Sequence, residues 1–289
     1  VTRLSNKNDL TGNVRAAQES FVSKVARTGV VYADDLALRD AAHYTDDAYA
    51  TKGLREATAT INMINATVVS PRWMGAGPFT ISSSIQSVTP TMPEHKTDDI
   101  IVVVLSALGN VNYPLGTANG FVEMTNSPQH DAGSTLNSRL HVWWVRATSA
   151  AMAAPVISDV ASDDAKMAVA FVIRGCKTSG DPFNITAGST AATATAITHP
   201  GLTTTVANCL VVNVLAHRVD GSTPQMSAQA NADLTNLTEH VDKTTITGDG
   251  YGICITAGYK AVAGAVTGTA ATLAALSRTH AMLTIAFAA

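Results

Sequence analysis

The fold is decided by a stretch that the chain contains twice, DDIIVVVL at 98–105 and ANCLVVNVL at 207–215. Both copies begin with polar residues and continue as a nearly unbroken apolar run. A short apolar run that is rich in valine and isoleucine is typical of a β-strand buried on both faces. We therefore expect each copy to be a central strand of a sheet, covered on both sides.

The segments that follow the two copies are also similar, so that 98–175 and 207–288 form an internal repeat. In each half a long polar loop comes first, followed by a short polar strand, an alternating strand and a final apolar strand. A sheet with an apolar face must bury it, and two such sheets can pack on each other. The sequence predicts a mainly β protein, with one jelly-roll-like β-sandwich across 79–289 whose halves are about 79–180 and 200–289.

Residues 1–70 differ from the rest of the chain because their apolar residues recur at helical spacing. They predict three short helices, which form an N-terminal arm ahead of a Pro- and Gly-rich linker at 71–78. Because the apolar stripes are short and diluted by alanine, these helices would be marginal in isolation. We expect the arm to anchor the chain to a partner or to further copies of itself. Packing of the helices on the chain's own β domain is the alternative.

The composition of the 289-residue chain narrows the classes of partner. Charged residues make up 14% of the chain, against about 25% in typical soluble domains. The net charge of −3 provides no basic field that would hold nucleic acid. No apolar run reaches the about 18 residues of a membrane span, and the N-terminal sequence lacks the apolar core of a signal peptide. We expect no nucleic-acid or membrane partner, and a release that does not use an export signal, for which lysis of a host cell is one route.

The three cysteines cannot all pair within the chain. Cys209 and Cys254 lie in apolar strands and are expected to be buried as small hydrophobic residues. Cys176 follows the end of a strand and is expected to be a more exposed thiol. No group of cysteines and histidines has the sequence spacing of a metal site. The sequence therefore predicts no metal and no cofactor.

Acidic pairs are the first place to look for hydrolase chemistry. Adjacent residues point to opposite faces of a strand, and on a helix they diverge by about 100°, so they do not form the facing carboxylates of a glycosidase. The pairs are Asp34/Asp35, Asp46/Asp47, Asp98/Asp99 and Asp163/Asp164. The histidines are scattered, and no nucleophile or phosphate-binding motif occurs. We predict no catalytic residues, and an enzyme such as a polysaccharide depolymerase is the least favoured function.

Three tryptophans are the candidate contact residues. Trp143 and Trp144 are adjacent on an alternating strand, so that one ring faces the core and the other faces outward. An outward ring can stack on a sugar or sit in a subunit contact, unless a loop of the same chain covers it. Trp73 lies in the linker and is expected to anchor it. The long loops 107–119 and 218–236 are the other candidate binding regions.

Three segments resemble a β-sandwich module of tailed-phage virion proteins: DDIIV at 98–102, VWWVRAT at 142–148 and AVAFVIRG at 168–175. In that module a Gly-Asp pair precedes the first strand, a Gly-Trp pair follows, and an Arg-Gly or Ser-Gly pair ends the last strand. The segment 203–212 is similar to its second half, and the resemblance covers about 80–289. This chain has Asp98 where the first glycine is usual, and Phe121 where the tryptophan is usual.

The resemblance implies a structural component of a phage virion without catalytic residues. Together with the low charge and the repeat, it predicts a decoration or accessory protein on the capsid or tail surface, attached through 1–70. Its partners would be other virion proteins. The marginal helices of 1–70 and the low-charge surface separately favour a homo-oligomer, with a trimer as the expected state. The alternative function is a tail-fibre or receptor-binding adhesin that recognises a polysaccharide of the host surface.

Overall fold

The structure is a computed structural model. It describes residues 70–289 except for 83–86, 109–111, 131–137, 159–165, 220, 222–224, 246–250 and 277–278. The helical arm predicted at 1–70 lies outside the described residues, apart from Ser70. The described residues form β-strands and no helix, which confirms the mainly β class.

Nineteen strands are present in the described part of the chain. Those of the first half are β1 (Arg72–Ala76), β2 (Thr80–Ser82), β3 (Ile100–Leu108), β4 (Leu115–Thr117), β5 (Val122–Glu123), β6 (Gln129–His130), β7 (Ser138–Arg146), β8 (Val156–Ile157) and β9 (Lys166–Arg174). Those of the second half are β10 (Phe183–Ala191), β11 (Ala196–Thr198), β12 (Leu202–Thr204), β13 (Cys209–His217), β14 (Met226–Ala230), β15 (Thr235–Thr244), β16 (Gly252–Lys260), β17 (Gly264–Val266), β18 (Ala270–Leu273) and β19 (His280–Phe287). The strands pair antiparallel throughout.

Two large sheets form the sandwich, and they share the same internal order. The first sheet runs β1–β9–β3–β7–β5, with β2 also on β9 and β6 also on β7. The second sheet runs β10–β19–β13–β16–β15. In each sheet the strand that contains the repeated apolar stretch, β3 or β13, lies at the centre, beside the last strand of its own half. The internal repeat therefore corresponds to two sheets of one topology.

Each sheet is built from one continuous half of the chain, and in this respect it differs from a jelly roll. A jelly roll combines two Greek keys, so that its successive strands are shared between the two sheets. Here β3 bonds to β7 and β9, and β13 bonds to β16 and β19, all within the same half. The predicted jelly-roll connectivity is wrong because each central strand finds both neighbours in its own half, whereas the β-sandwich character is confirmed.

The main core lies between the two sheets. Alternate residues of the central strands face it, and they are joined by inward residues of β7, β9, β16 and β19. From the central strands these residues are Ile100, Val102, Val104, Leu210, Val212, Val214 and Ala216. Their neighbours on β3 and β13 are buried as well, so both strands are covered on both faces, as the sequence predicts.

The outer faces of the two sheets are buried under strands that the chain lays across them. On the first sheet, outward residues of β3 pack against Tyr113 and Ile157 beside the β4–β8 pair. On the second sheet, one apolar cluster lies under β11–β18–β14 and another lies under β12–β17. The loops predicted at 107–119 and 218–236 therefore contribute the covering strands β4 and β14.

The stretch 71–78, which we expected to be a linker, contains β1 and belongs to the first sheet. It pairs with β9, with an irregularity between Trp73 and Gly75. The Trp73 ring is stacked between Phe171 of β9, at 4.6 Å, and His240 of β15, at 4.3 Å. This packing explains why the stretch forms a strand although prolines and glycines lie within and around it. It also places Trp73 in contact with both sheets.

Candidate functional site

Both sheets carry buried polar side chains at corresponding places on their outer faces. The two halves align through Asp98 and Asn208, which precede the central strands and have left-handed φ values of 68° and 58°. In this alignment His141 of β7 corresponds to Cys254 of β16, because they pair with equivalent leucines of the central strands. In each half a carboxylate of the edge strand forms a hydrogen bond with this side chain: Glu123 with His141, and Asp242 with Cys254. The repeat thus produces two polar clusters, one on each sheet.

The first cluster consists of Glu123, Arg139 and His141. The Nε–H of Arg139 donates to Nε2 of His141 at 2.9 Å, so the neutral ring donates its Nδ1–H to Oε1 of Glu123 at 2.8 Å. The hydroxyl of Ser127 donates to the same Glu123 oxygen at 2.9 Å. Burial lowers the pKa of His141 despite the neighbouring carboxylate, which keeps the ring neutral at pH 7. The hydrogen bond between Glu123 and His141 cross-links β5 and β7. Because both ring nitrogens of His141 already have partners, the imidazole is not arranged as a general base.

The second cluster consists of His217 of β13, Asp242 of β15 and Cys254 of β16. Their nitrogen, oxygen and sulfur atoms all lie within 4.8 Å of one another. The thiol of Cys254 donates to Oδ1 of Asp242 at 3.3 Å, while Oδ2 accepts the backbone N–H of Met226 at 2.6 Å. Burial and the Asp242 carboxylate raise the pKa of Cys254 well above its usual value, so the sulfur is protonated at pH 7. Imidazole, carboxylate and thiol are the side chains that bind zinc in proteins.

Three histidines are buried in the second half of the chain, and His280 is close enough to affect the pKa of the other two, His199 and His217. Among the described residues, Nε2 of His217 and both ring nitrogens of His199 and His280 have no hydrogen-bond partner. Burial, with a smaller effect of the His280 charge, lowers the pKa of His199 to about 4 and that of His217 to about 3. These rings are therefore neutral at pH 7. A buried polar atom without a partner costs about 1–3 kcal/mol of folding free energy.

The three predicted tryptophans occupy different places in the sandwich. Trp143 is 3% exposed in the core outside the first sheet, where it stacks on His141 at 5.0 Å. Trp144 points to the opposite face, packs against the main core and meets Phe183 edge-to-face at 6.0 Å. Trp73 lies between the two sheets. The structure therefore does not combine the three rings into one surface, because each belongs to a different contact.

A shallow groove opens beside Trp144 at the edge of the first sheet. Its lining includes Asn119, Val122 and Arg146, of which Val122 is 51% exposed. The guanidinium of Arg146 donates to the carbonyl of Gly180 at 3.0 Å, which fixes its position next to the indole. An indole beside a guanidinium and an exposed aliphatic side chain is a surface on which a sugar ring can stack.

An ion pair joins Asp99, which precedes β3, to Arg174 at the end of β9. Arg174 donates two hydrogen bonds of 2.7 Å to Asp99, whose carboxylate also accepts the backbone N–H of Lys96. Burial raises the pKa of Asp99, but the hydrogen bonds from Arg174 and Lys96 outweigh this effect and the pKa is lower than usual. The ion pair ties the start of β3 to the end of β9.

All three cysteines are buried and free. Burial is confirmed for Cys209 and Cys254, whereas the exposed thiol that we expected at Cys176 is wrong. Cys176 is 7% exposed, because Gly175, with a φ of 85°, turns the chain and Cys176 packs against the main core. Burial raises the pKa of Cys176 to about 12. A thiol with this pKa is unreactive at neutral pH.

Comparisons with protein-family models, with curated proteins and with solved structures found no match to this chain. Within the described ranges, no helix is long and apolar enough to cross a membrane. The function is therefore inferred from the chain's own contacts.

Sequence spacing does not reveal either polar cluster, because the residues of each cluster lie on different strands.

Proposed function

We propose that this chain is a non-enzymatic structural protein of a bacteriophage virion, most simply a decoration or accessory protein on the capsid or tail surface. Residues 1–70 attach it to the particle, and the β-sandwich is displayed. The observation that carries the proposal is the ion pair between Asp99 and Arg174. Both residues belong to motifs of the virion module that the sequence resembles, and the ion pair gives those motifs a structural role.

The two positions that depart from the module's pattern also support the proposal. Asp98 has a φ of 68°, a conformation that glycine adopts most readily, and glycine is usual there in the module. Phe121 is 3% exposed in the core outside the first sheet, where the module has another aromatic residue. The residues of the pattern thus serve a turn, an ion pair and a core, which is what a scaffold module requires.

The covered faces of the sandwich are consistent with attachment through a separate segment. Both outer faces are buried under the chain's own strands. The sheet edges, the connecting loops and residues 1–70 therefore remain as the regions that would contact a particle. The helices that the sequence predicts in 1–70 would be marginal in isolation, and completing their packing on a partner would suit this division of roles.

Particle association tests the proposal. Particles that lack this protein are incubated with the full chain or with a chain that begins at Ser70, and are then separated on a density gradient. We expect the full chain to sediment with the particles in a saturable amount and the shortened chain to remain at the top. Electron microscopy with an antibody against the β-sandwich then distinguishes capsid from tail. Absence of the full chain from the particle fractions would contradict the proposal.

An adhesin for host polysaccharide is the second candidate, and the groove beside Trp144 is the observation that favours it. The exposed Val122 and the fixed guanidinium of Arg146 flank the indole. Binding of the full chain to an array of host surface glycans should weaken at least tenfold in Trp144→Ala. The control is Val262→Ala, which changes an apolar side chain that is 72% exposed outside this groove. Equal binding by both variants, or none by the unmodified chain, would count against an adhesin.

A further inference from the structure

We propose that the second cluster, His217, Asp242 and Cys254, is a binding site for a single divalent transition-metal ion of the zinc class. The three side chains come from β13, β15 and β16, which are neighbours at one end of the second sheet. All three face its outer side, beneath the covering strands. Their donor atoms already lie within 4.8 Å of one another.

The donor set matches the coordination chemistry of zinc. Zinc binds cysteine sulfur at about 2.3 Å, imidazole nitrogen at about 2.0–2.1 Å and carboxylate oxygen at similar distances, in a tetrahedral arrangement. Two ligand atoms of such a site are roughly 3.5 Å apart. The thiol of Cys254 and Oδ1 of Asp242 are already separated by 3.3 Å. Small side-chain movements at His217 would therefore complete the three-ligand arrangement.

The surroundings of His217 provide an independent reason to place a ligand here. Its Nε2 is buried and has no hydrogen-bond partner among the described residues. The ring fits over Gly252, where any side chain would collide with Nε2. On the adjacent strand β19, His280 is also buried, and both of its ring nitrogens are without a described partner. A metal ion bound through Nε2 would give this nitrogen of His217 a partner.

Metal binding would change the positions of two protons, one on Cys254 and one on His217. In the metal-free state the thiol proton of Cys254 is donated to Asp242. The sulfur–metal bond replaces the S–H bond, and that proton is released to the buffer. Val219 donates its backbone N–H to Nδ1 of His217 at 3.1 Å, so the neutral ring carries its proton on Nε2. Coordination of the metal by Nε2 moves this proton to Nδ1. A protonated Nδ1 cannot accept a hydrogen bond, so the bond from the Val219 N–H breaks.

The bound ion would cross-link three strands and one covering strand. Asp242 already holds the backbone of Met226 in β14, so its coordination ties that strand to β13, β15 and β16 together. Because the site exists only in the folded protein, metal binding adds to the free energy of unfolding. The role of the site is therefore stabilisation of the second sheet, independent of where the protein sits on a particle.

Zinc content and stability test the site in the full chain. The protein is unfolded with a chelator, refolded with or without Zn²⁺, dialysed and analysed by elemental mass spectrometry. We expect stoichiometric zinc and a raised melting temperature in the unmodified chain. Cys254→Ala and Asp242→Asn should lose both, while Cys209→Ala, which removes another buried cysteine, should keep both. Co²⁺ in place of Zn²⁺ should give a thiolate-to-cobalt charge-transfer band that Cys254→Ala lacks.

Two further readouts separate coordination from adventitious binding. Binding should release a proton, measured as a dependence of the binding enthalpy on the buffer, and should speed hydrogen exchange at the Val219 amide. If Cys254→Ala does not refold, Asp242→Asn decides the result, because an asparagine oxygen can still accept the Met226 N–H. Zinc content in the unmodified chain no higher than in Asp242→Asn would overturn the proposal, as would absence of zinc after refolding.

Discussion

Asp98 and Asp99 are adjacent but have different structural roles: Asp98 forms a turn through its backbone, and Asp99 forms an ion pair through its side chain. Asp98 is exposed, with a left-handed φ of 68° that costs a non-glycine residue energy. Asp99 is 1% exposed and accepts two hydrogen bonds from Arg174. A side chain is thus dispensable at one position and required at the next.

Substitutions at Asp98 and Asp99 can therefore be compared directly for their effect on the free energy of unfolding. We expect Asp99→Ala to lower the free energy of unfolding by roughly 3 kcal/mol, because Arg174 and the N–H of Lys96 lose their partner. Asp98→Gly should leave it unchanged or raise it by up to about 1 kcal/mol. Urea unfolding at pH 7 measures both. Equal destabilisation by the two changes would show that the turn, and not the ion pair, stabilises this junction.

The buried ring of His199 predicts a loss of stability in acid. In the unfolded chain a histidine has a pKa of about 6.5, whereas burial lowers the pKa of folded His199 to about 4. The unfolded state therefore binds more protons between these values, and stability falls as the pH drops from about 6.5 to about 4. The shift corresponds to a contribution on the order of 3 kcal/mol. The urea midpoint should fall less in His199→Gln over this range, and an unchanged pH dependence would contradict the assignment.

At the scale of elements, burial on both faces distinguishes β3 from an ordinary half-exposed strand. Val102 faces the main core and Val103 faces the outer core, and neither is exposed. We expect Val102→Ala and Val103→Ala to cost roughly 2 kcal/mol each, because each removes buried methyl groups and leaves a cavity. Val262→Ala is the control with no expected loss. A loss in only one of the two β3 variants, measured by urea unfolding, would show that the other face is not packed.

The sequence predicts the long central elements because nine-residue apolar strands such as β3 and β13 have a clear composition. It does not predict the covering strands, which are two to five residues long and read as loops. The sequence predicts a linker at 71–78, which is wrong, because the stacking of Trp73 on Phe171 and His240 is a long-range contact that the local pattern does not show. Local prolines and glycines alone indicate a break.

The sequence pattern does not show either polar cluster. Alignment of the two halves through Asp98 and Asn208 puts His141 against Tyr251 unless a gap is introduced, and the correspondence with Cys254 follows only from the pairing of β7 and β16 with the central strands. The strand pairing that brings Asp242 next to Cys254 includes register shifts in β15. Such shifts depend on the folded sheet, so the sequence pattern does not reveal this contact.

At the scale of the molecule, the two sheets of the described residues make a sandwich whose broad faces are covered by strands of the same chain. Self-association would then depend on residues 1–70, whose marginal predicted helices, together with the low charge of the chain, favour a trimer of the full chain. Light scattering after size-exclusion chromatography should give a trimer for the full chain and a monomer for a chain that begins at Ser70. A monomeric full chain, or a trimeric shortened chain, would contradict the role assigned to the N-terminal arm.

The stacking of Trp73 between Phe171 and His240 turns one residue into an optical reporter. With Trp143 and Trp144 replaced by phenylalanine, the remaining indole emission would come from the contact where the two sheets meet. Its wavelength would then follow the separation of the sheets, while circular dichroism follows the loss of strands within them. A difference in midpoint between the two signals would reveal whether the halves of this repeat come apart before either one melts.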